Sequence, residues 1–199
     1  MASIAALWGE NDEYWPRPIG DPLTGSWDST SGVLTLSGSA TKAQYETALE
    51  SITYNNTSQN PNTTNRTIKW LVNDGTNDSS AVSSTISVAA VNDAPVLSGA
   101  SSTLAFTEGD DATVIDGSLT ITDADHANIE SATITISSGF QSTEDNLSFT
   151  DANGITGSWN STDGVLTLSG SATKAQYETA LESVTYNNTS EKPNTANRT

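Results

Sequence analysis

The residues with the most chemistry to offer are acidic. Asp and Glu number 24 against 7 Lys and Arg in 199 residues, a net charge of −17. Carboxylates in such excess either form a solvated surface or bind a hard cation. Calcium is the natural partner, because it takes oxygen ligands and offsets the self-repulsion of an acidic fold. Two groupings stand out, Asp123-Ala124-Asp125 and Glu144-Asp145, the second reading as a turn. His126, the only histidine, follows the first grouping directly. A lone histidine in a turn is ordinarily inert. Carboxylate pairs for glycoside hydrolysis need defined positions across a cleft, whereas these acids gather at predicted strand ends and turns. No phosphate-cradling glycine loop is present. The chain has no cysteine, which excludes disulfides, thiolate zinc sites and cysteine nucleophiles. An acidic surface repels phosphate backbones and anionic membranes. No apolar run approaches the ~18 residues of a membrane span, and the N-terminus lacks the basic and apolar regions of a signal peptide. The expectation is a protein that is not an enzyme, binds no nucleic acid and does not insert into a membrane.

The elements that must position these acids are set by an internal duplication. Thr24–Thr67 and Thr156–Thr199, offset by 132 residues, differ at six positions: Asp28/Asn160, Ser31/Asp163, Ile52/Val184, Gln59/Glu191, Asn60/Lys192 and Thr64/Ala196. A period of that length suits a string of complete β-sandwich domains better than a solenoid. The expected organisation is a non-repeat segment 1–23, the C-terminal part of a first repeat at 24–91, a linker at 92–95, and a second repeat at 96–199 that stops two strands short. Within a repeat, Leu104/Phe106, Leu119/Ile121, Ala132/Ile134/Ile136, Leu147/Phe149 and Leu166/Leu168 alternate as one-face-buried strands. Thr173-Lys174-Ala175-Gln176 is a capping box opening a short crossover helix, with Tyr177, Ala180, Leu181 and Val184 on its inner side. The first copy repeats it from Thr41, with Tyr45 as the matching anchor. Ile68, Trp70 and Val72 alternate toward a turn at Asp74-Gly75, and Val82, Ile86 and Val88 return. The expected fold class is all-β: tandem immunoglobulin-like, cadherin-like β-sandwich repeats with one short crossover helix each.

These pieces in this order (VNDAPVL at 91–97, FTEGD at 106–110, LTITDAD at 119–125, SATITISSGF at 131–140, EDNLSFT at 144–150, the AQYETAL helix and RTIKWLVNDG at 66–75) resemble the cadherin-like, VCBS-type tandem repeats of large bacterial RTX-type surface adhesins. The resemblance covers residues 24–199. It implies an extracellular or cell-surface location in bacteria, a role in cell adhesion, and calcium binding at domain junctions. The ligands it implies are Asn92 and Asp93 in the linker, Asp123 and Asp125 about thirty residues on, and Glu108, which would serve the following junction. The linker departs from the family pattern at Ala90. Capping of turns by Asp93 and Asp123 is the plainer alternative.

The function expected on this basis is a structural extender, stiffened by calcium, with neighbouring repeats of the same chain as its partners. The alternative is a carbohydrate-binding β-sandwich that meets cell-surface or matrix glycans through Trp27 and Trp159. Missing strands would leave sheet edges able to self-associate.

Overall fold

The computed structural model describes residues 23–199. The expectation about residues 1–23 lies outside them, Leu23 apart. Contacts divide the chain into two units, with the boundary between Asn92 and Asp93.

In the first unit, β1 (Thr24–Asp28) and β2 (Val33–Ser37) form an antiparallel hairpin with Trp27 opposite Leu34. Asp28 turns the corner by accepting the Thr30 N–H at 2.9 Å, and Gly32 supplies the left-handed residue (φ 70°). Helix α1 (Lys42–Glu50) starts at the expected capping box, in which Thr41 and Gln44 satisfy each other's backbone N–H groups. A second hairpin pairs β3 (Arg66–Trp70) with β4 (Val82–Ile86). Its turn is wider than a two-residue Asp-Gly hairpin, because Asp74 takes the N–H groups of Thr76 and Asn77, both at 2.8 Å.

The second unit contains β5 (Val96–Ser98), β6 (Thr113–Val114), β7 (Thr120–Thr122), β8 (Asn128–Thr135), β9 (Asp145–Ser148), β10 (Thr156–Asn160), β11 (Val165–Thr173), α2 (Lys174–Glu182) and β12 (Thr185–Asn188). They make three antiparallel sheets, ordered β10-β11-β8, β6-β12-β9 and β5-β7. β11 bulges between Ser169 and Ala172. Gly170 sits there with φ 133°, and a side chain on it would meet the Gly154 carbonyl at 2.2 Å. The core is built from Leu147, Ile155, Leu166, Leu168, Tyr177 and Val184, all essentially buried. Glu178 fastens α2 to β7 by accepting the Ile121 N–H at 2.7 Å.

The expectation of an all-β, tandem immunoglobulin-like or cadherin-like β-sandwich is corrected by this arrangement. The fold is mixed α/β, about 10% helix and 35% strand, with open sheets of two or three strands. The capping box nucleates a full nine-residue helix in each copy. Turn-forming Gly, Asn and Asp residues keep most strands to five residues or fewer, and no described sheet has more than three strands. The sheets also do not repeat: β2 pairs only with β1 among the described residues, whereas β11 pairs with both β10 and β8. Leu104 and Phe106, expected in a strand, lie outside any; Phe106 instead packs edge-on against Tyr186 at 5.0 Å.

Candidate functional site

The acidic bend carries two of the expected ligands, Asp123 and Asp125. Asp123 Oδ1 accepts the N–H groups of Asp125 (2.8 Å) and His126 (2.7 Å), so its carboxylate closes its own turn. Those bonds, the His126 N–H foremost, outweigh burial and hold the Asp123 carboxyl below the usual carboxylate range, with His126 and Lys174 adding positive charge. The Asp123 side chain is only 3% exposed, and that of His126 is 61% exposed. Lys174 Nζ donates to the carbonyls of Asp123 (2.8 Å) and His126 (3.0 Å). Asp125 reaches across 32 residues to accept the backbone N–H of Asp93. Four of the five expected ligands, Asp93, Glu108, Asp123 and Asp125, belong to the second unit and Asn92 to the first. Glu108 lies exposed on the β5–β6 connection. The donors are hard oxygens of the kind calcium takes. Among the described residues, however, no three Asp, Glu or His side chains stand close enough to hold a metal ion.

A second acidic centre, read from the sequence only as a turn, is more elaborate. Asp145 is buried on β9 and its carboxylate is surrounded by donors. Arg198 Nε spans both its oxygens (3.2 and 3.1 Å). Tyr186 Oη (2.6 Å), Asn188 Nδ2 (3.0 Å) and the Gln141 N–H (2.8 Å) complete the set. Burial pushes the Asp145 carboxyl up, but Arg198, Tyr186 and Gln141 together hold it below its ordinary value. Tyr186 is pushed up, by burial first and by Asp145 second. Glu144 accepts from Arg198 Nη2 at 3.4 Å and from the Asn194 N–H at 3.0 Å. Past the clasp, Thr199 exchanges backbone bonds with Ser138 at 3.1 Å. The available sequence signal was the Asn-Arg-Thr triplet, identical in both copies at 65–67 and 197–199.

The third feature is an open groove in the first unit, of about 800 Å³, between the β2–α1 face and the β3–β4 hairpin. Leu34, Leu36, Tyr45, Leu49, Ile68 and Trp70 line it. Four of these have identical counterparts in the second unit (Leu166, Leu168, Tyr177 and Leu181), all buried there, Leu168 and Tyr177 at 0% exposure. In the first unit Leu34, Leu36, Tyr45 and Leu49 are only half-buried, and Val33 and Val82 at the rims are 52% and 65% exposed. Among the described residues, the same sequence is therefore covered in one unit and open in the other.

Compared with protein-family models, curated proteins and solved structures, the chain matches none. The likeness to cadherin-like, VCBS-type repeats of RTX adhesins is corrected accordingly: it is carried by short motifs, and the fold they make is mixed and non-repeating. The extender role in cell adhesion falls with it, since that role requires a string of like sandwich domains and the two units differ in their sheets. The carbohydrate-binding alternative falls as well. Trp159 packs on the second unit's core and meets Phe140 edge-on at 6.1 Å, and Trp27 is half-buried opposite Leu34, so neither forms an exposed sugar platform.

Proposed function

We propose that this chain is a non-catalytic, polypeptide-binding module acting outside the cell, and that it takes a partner strand on the open face of its first unit. The observation that carries the reading is the groove. Side chains that are buried in the second unit line an apolar cleft in the first, beside a strand whose outer edge pairs with no other described strand. A sheet edge with an adjoining apolar channel is how strand addition works: backbone bonds supply affinity, and alternate side chains supply specificity. The non-catalytic part is supported by how the acids are used. Asp28, Asp74, Asp116 and Asp123 all accept backbone N–H groups and close turns. The extracellular part is supported only by the strongly acidic composition. Among the described residues, no helix is long and apolar enough to cross a membrane.

The test is binding of labelled peptides with alternating apolar residues to the whole chain, read by fluorescence anisotropy. Saturable binding that Leu36→Lys abolishes is the expected result. Failure of every such peptide to bind removes the reading.

A second reading, calcium at the Asp93–Asp123–Asp125 bend, is favoured by the Asp93–Asp125 contact across 32 residues. An ion there draws the carboxylates closer than they now stand. Its affinity falls in the range of extracellular modules, about 10⁻⁴–10⁻³ M. Calorimetric titration with calcium chloride checks this: heat that saturates and is lost in Asp123→Ala/Asp125→Ala supports it, and a flat titration discards it.

A further inference from the structure

The duplication identifies what the open groove is shaped to receive. Among the described residues, the elements whose counterparts stand open in the first unit are joined in the second by one continuous segment, residues 128–149. It joins them in three ways.

β8 pairs antiparallel with the outer edge of β11, placing Ile134 opposite Leu166 and Ala132 opposite Leu168. The β2 residues Val33–Ser37 are identical to Val165–Ser169, and β1–β2 keeps the register of β10–β11 residue for residue. β9 pairs with β12. The same Thr-Tyr-Asn-Asn sequence at 53–56 is not a strand in the first unit. Finally, Asp145 of β9 is the acceptor for Tyr186, Asn188 and Arg198. The first unit keeps all three counterparts, Tyr54, Asn56 and Arg66, each half-buried. Asn56 Nδ2 still meets Tyr54 Oη at 3.4 Å, as Asn188 meets Tyr186. Arg66 Nη1 still bonds the carbonyls of Asn62 and Thr64, as Arg198 bonds Asn194 and Ala196. Arg66 forms no ion pair among the described residues, whereas Arg198 has two carboxylates.

We infer that the first unit is a receptor for an extended polypeptide of the 128–149 type. Such a ligand has an alternating strand that adds antiparallel to β2 and fills the groove beside Leu34 and Leu36. About ten residues further on, it carries an acidic side chain for Tyr54, Asn56 and Arg66. This rests on the strand-addition reading above and names its ligand. The occupant is an extended segment of this type, which the described residues of the first unit do not supply. Exchange of β8 between two copies of this chain gains nothing, because each strand donated to a β2 leaves an identical edge bare on β11.

The probe is a synthetic peptide of residues 126–149, added to the whole chain and followed by anisotropy and by protection of the β2 amides. Saturable binding is expected, with the β2 amides protected. Asp145→Asn in the peptide weakens it by about tenfold or more, since hydrogen bonds to a charged partner contribute about 1.5–3 kcal/mol. Arg66→Ala in the protein weakens the wild-type peptide similarly and leaves the peptide carrying Asp145→Asn almost unaffected. Because the acidic change is made in the peptide, it leaves the protein's folding untouched. If other alternating peptides bind and this one does not, the inference is overturned while the strand-addition reading stands. If no peptide binds, both are overturned. Binding that is indifferent to Asp145→Asn overturns the carboxylate receptor. Concentration-dependent dimerisation of the chain, abolished by Leu36→Lys and unaffected by the peptide, makes a second copy the occupant and overturns the inference.

Discussion

Asp145 and Arg198 show how a single residue's role is set by what reaches it. Both side chains are largely withdrawn from water, and the carboxylate has a donor for every direction it faces. Removing one partner of such a pair leaves a buried charge uncompensated, which costs about 3–5 kcal/mol. Arg198→Ala is therefore expected to lower the second unit's stability by about that amount in urea denaturation. Arg66→Ala, which breaks only bonds to carbonyls of its own turn, costs about 1 kcal/mol. Equal effects at the two positions would contradict the clasp. Asp145 and Asp123 also contribute to the acid limit. The carboxyls of Asp145 and Asp123 both titrate lower in the folded protein than in the unfolded chain. Their contribution is therefore present above the unfolded value of about 3.9 and is lost as pH falls through and below it. A series of melts from pH 6 to pH 2 should hold nearly level to about pH 4 and then drop. In Asp145→Asn the drop should be smaller, from a lower starting stability. Glu144-Asp145 was visible in the sequence as an acidic pair, but nothing local marks it as the receptor for an arginine more than fifty residues away.

At the level of elements, legibility followed the range of the interactions. Both helices were readable, because Thr41/Gln44 and Thr173/Gln176 close their capping boxes within one turn. The alternation of Leu166 and Leu168, and of Ala132, Ile134 and Ile136, marked β11 and β8 for the same reason. The Thr-Tyr-Asn-Asn segment was not readable in this way. It is strand β12 where β9 and β6 flank it and irregular in the first unit, where no described strand flanks it, so no propensity distinguishes its two states. The family likeness failed at the same level: short motifs recur in order, but which strand lies beside which depends on long-range pairing. Helix docking separates the two copies further. Tyr177 and Tyr45 make the same bond, from Oη to the carbonyls of Gly170 (2.6 Å) and Gly38 (2.7 Å), but only Tyr177 is enclosed. Tyr177→Ala should cost about 3–5 kcal/mol and Tyr45→Ala clearly less, because a half-open site leaves a smaller cavity to carry. Tryptophan-monitored denaturation of the two variants measures the difference.

For the whole molecule, the duplication works as an internal control that few proteins offer. Thirty-eight of 44 residues are the same in the two blocks, so intrinsic amide exchange rates, helix propensities and hairpin turns are nearly matched. Any difference in protection between them is then due to context alone. In the second unit the block is held by β8, β9 and β6 and by a core that encloses Leu166, Leu168 and Tyr177. In the first, the block's β1–β2 hairpin is a two-stranded sheet among the described residues, below the size that is independently stable in water. Local opening free energies track buried apolar contact and backbone enclosure. The amides of β1, β2 and α1 are therefore expected to exchange with deuterium at least ten times faster than the equivalent amides of β10, β11 and α2, a gap of about 1.4 kcal/mol or more. Mass-spectrometric peptides that include Asp28/Asn160 or Ile52/Val184 distinguish the copies by sequence. Equal protection would mean that the first unit's block is as well supported as the second's, and the groove would lose its standing as an open surface. A ligand that adds a strand to β2 should slow exchange in the first block alone and close most of the gap, leaving the second block, already complete, unchanged.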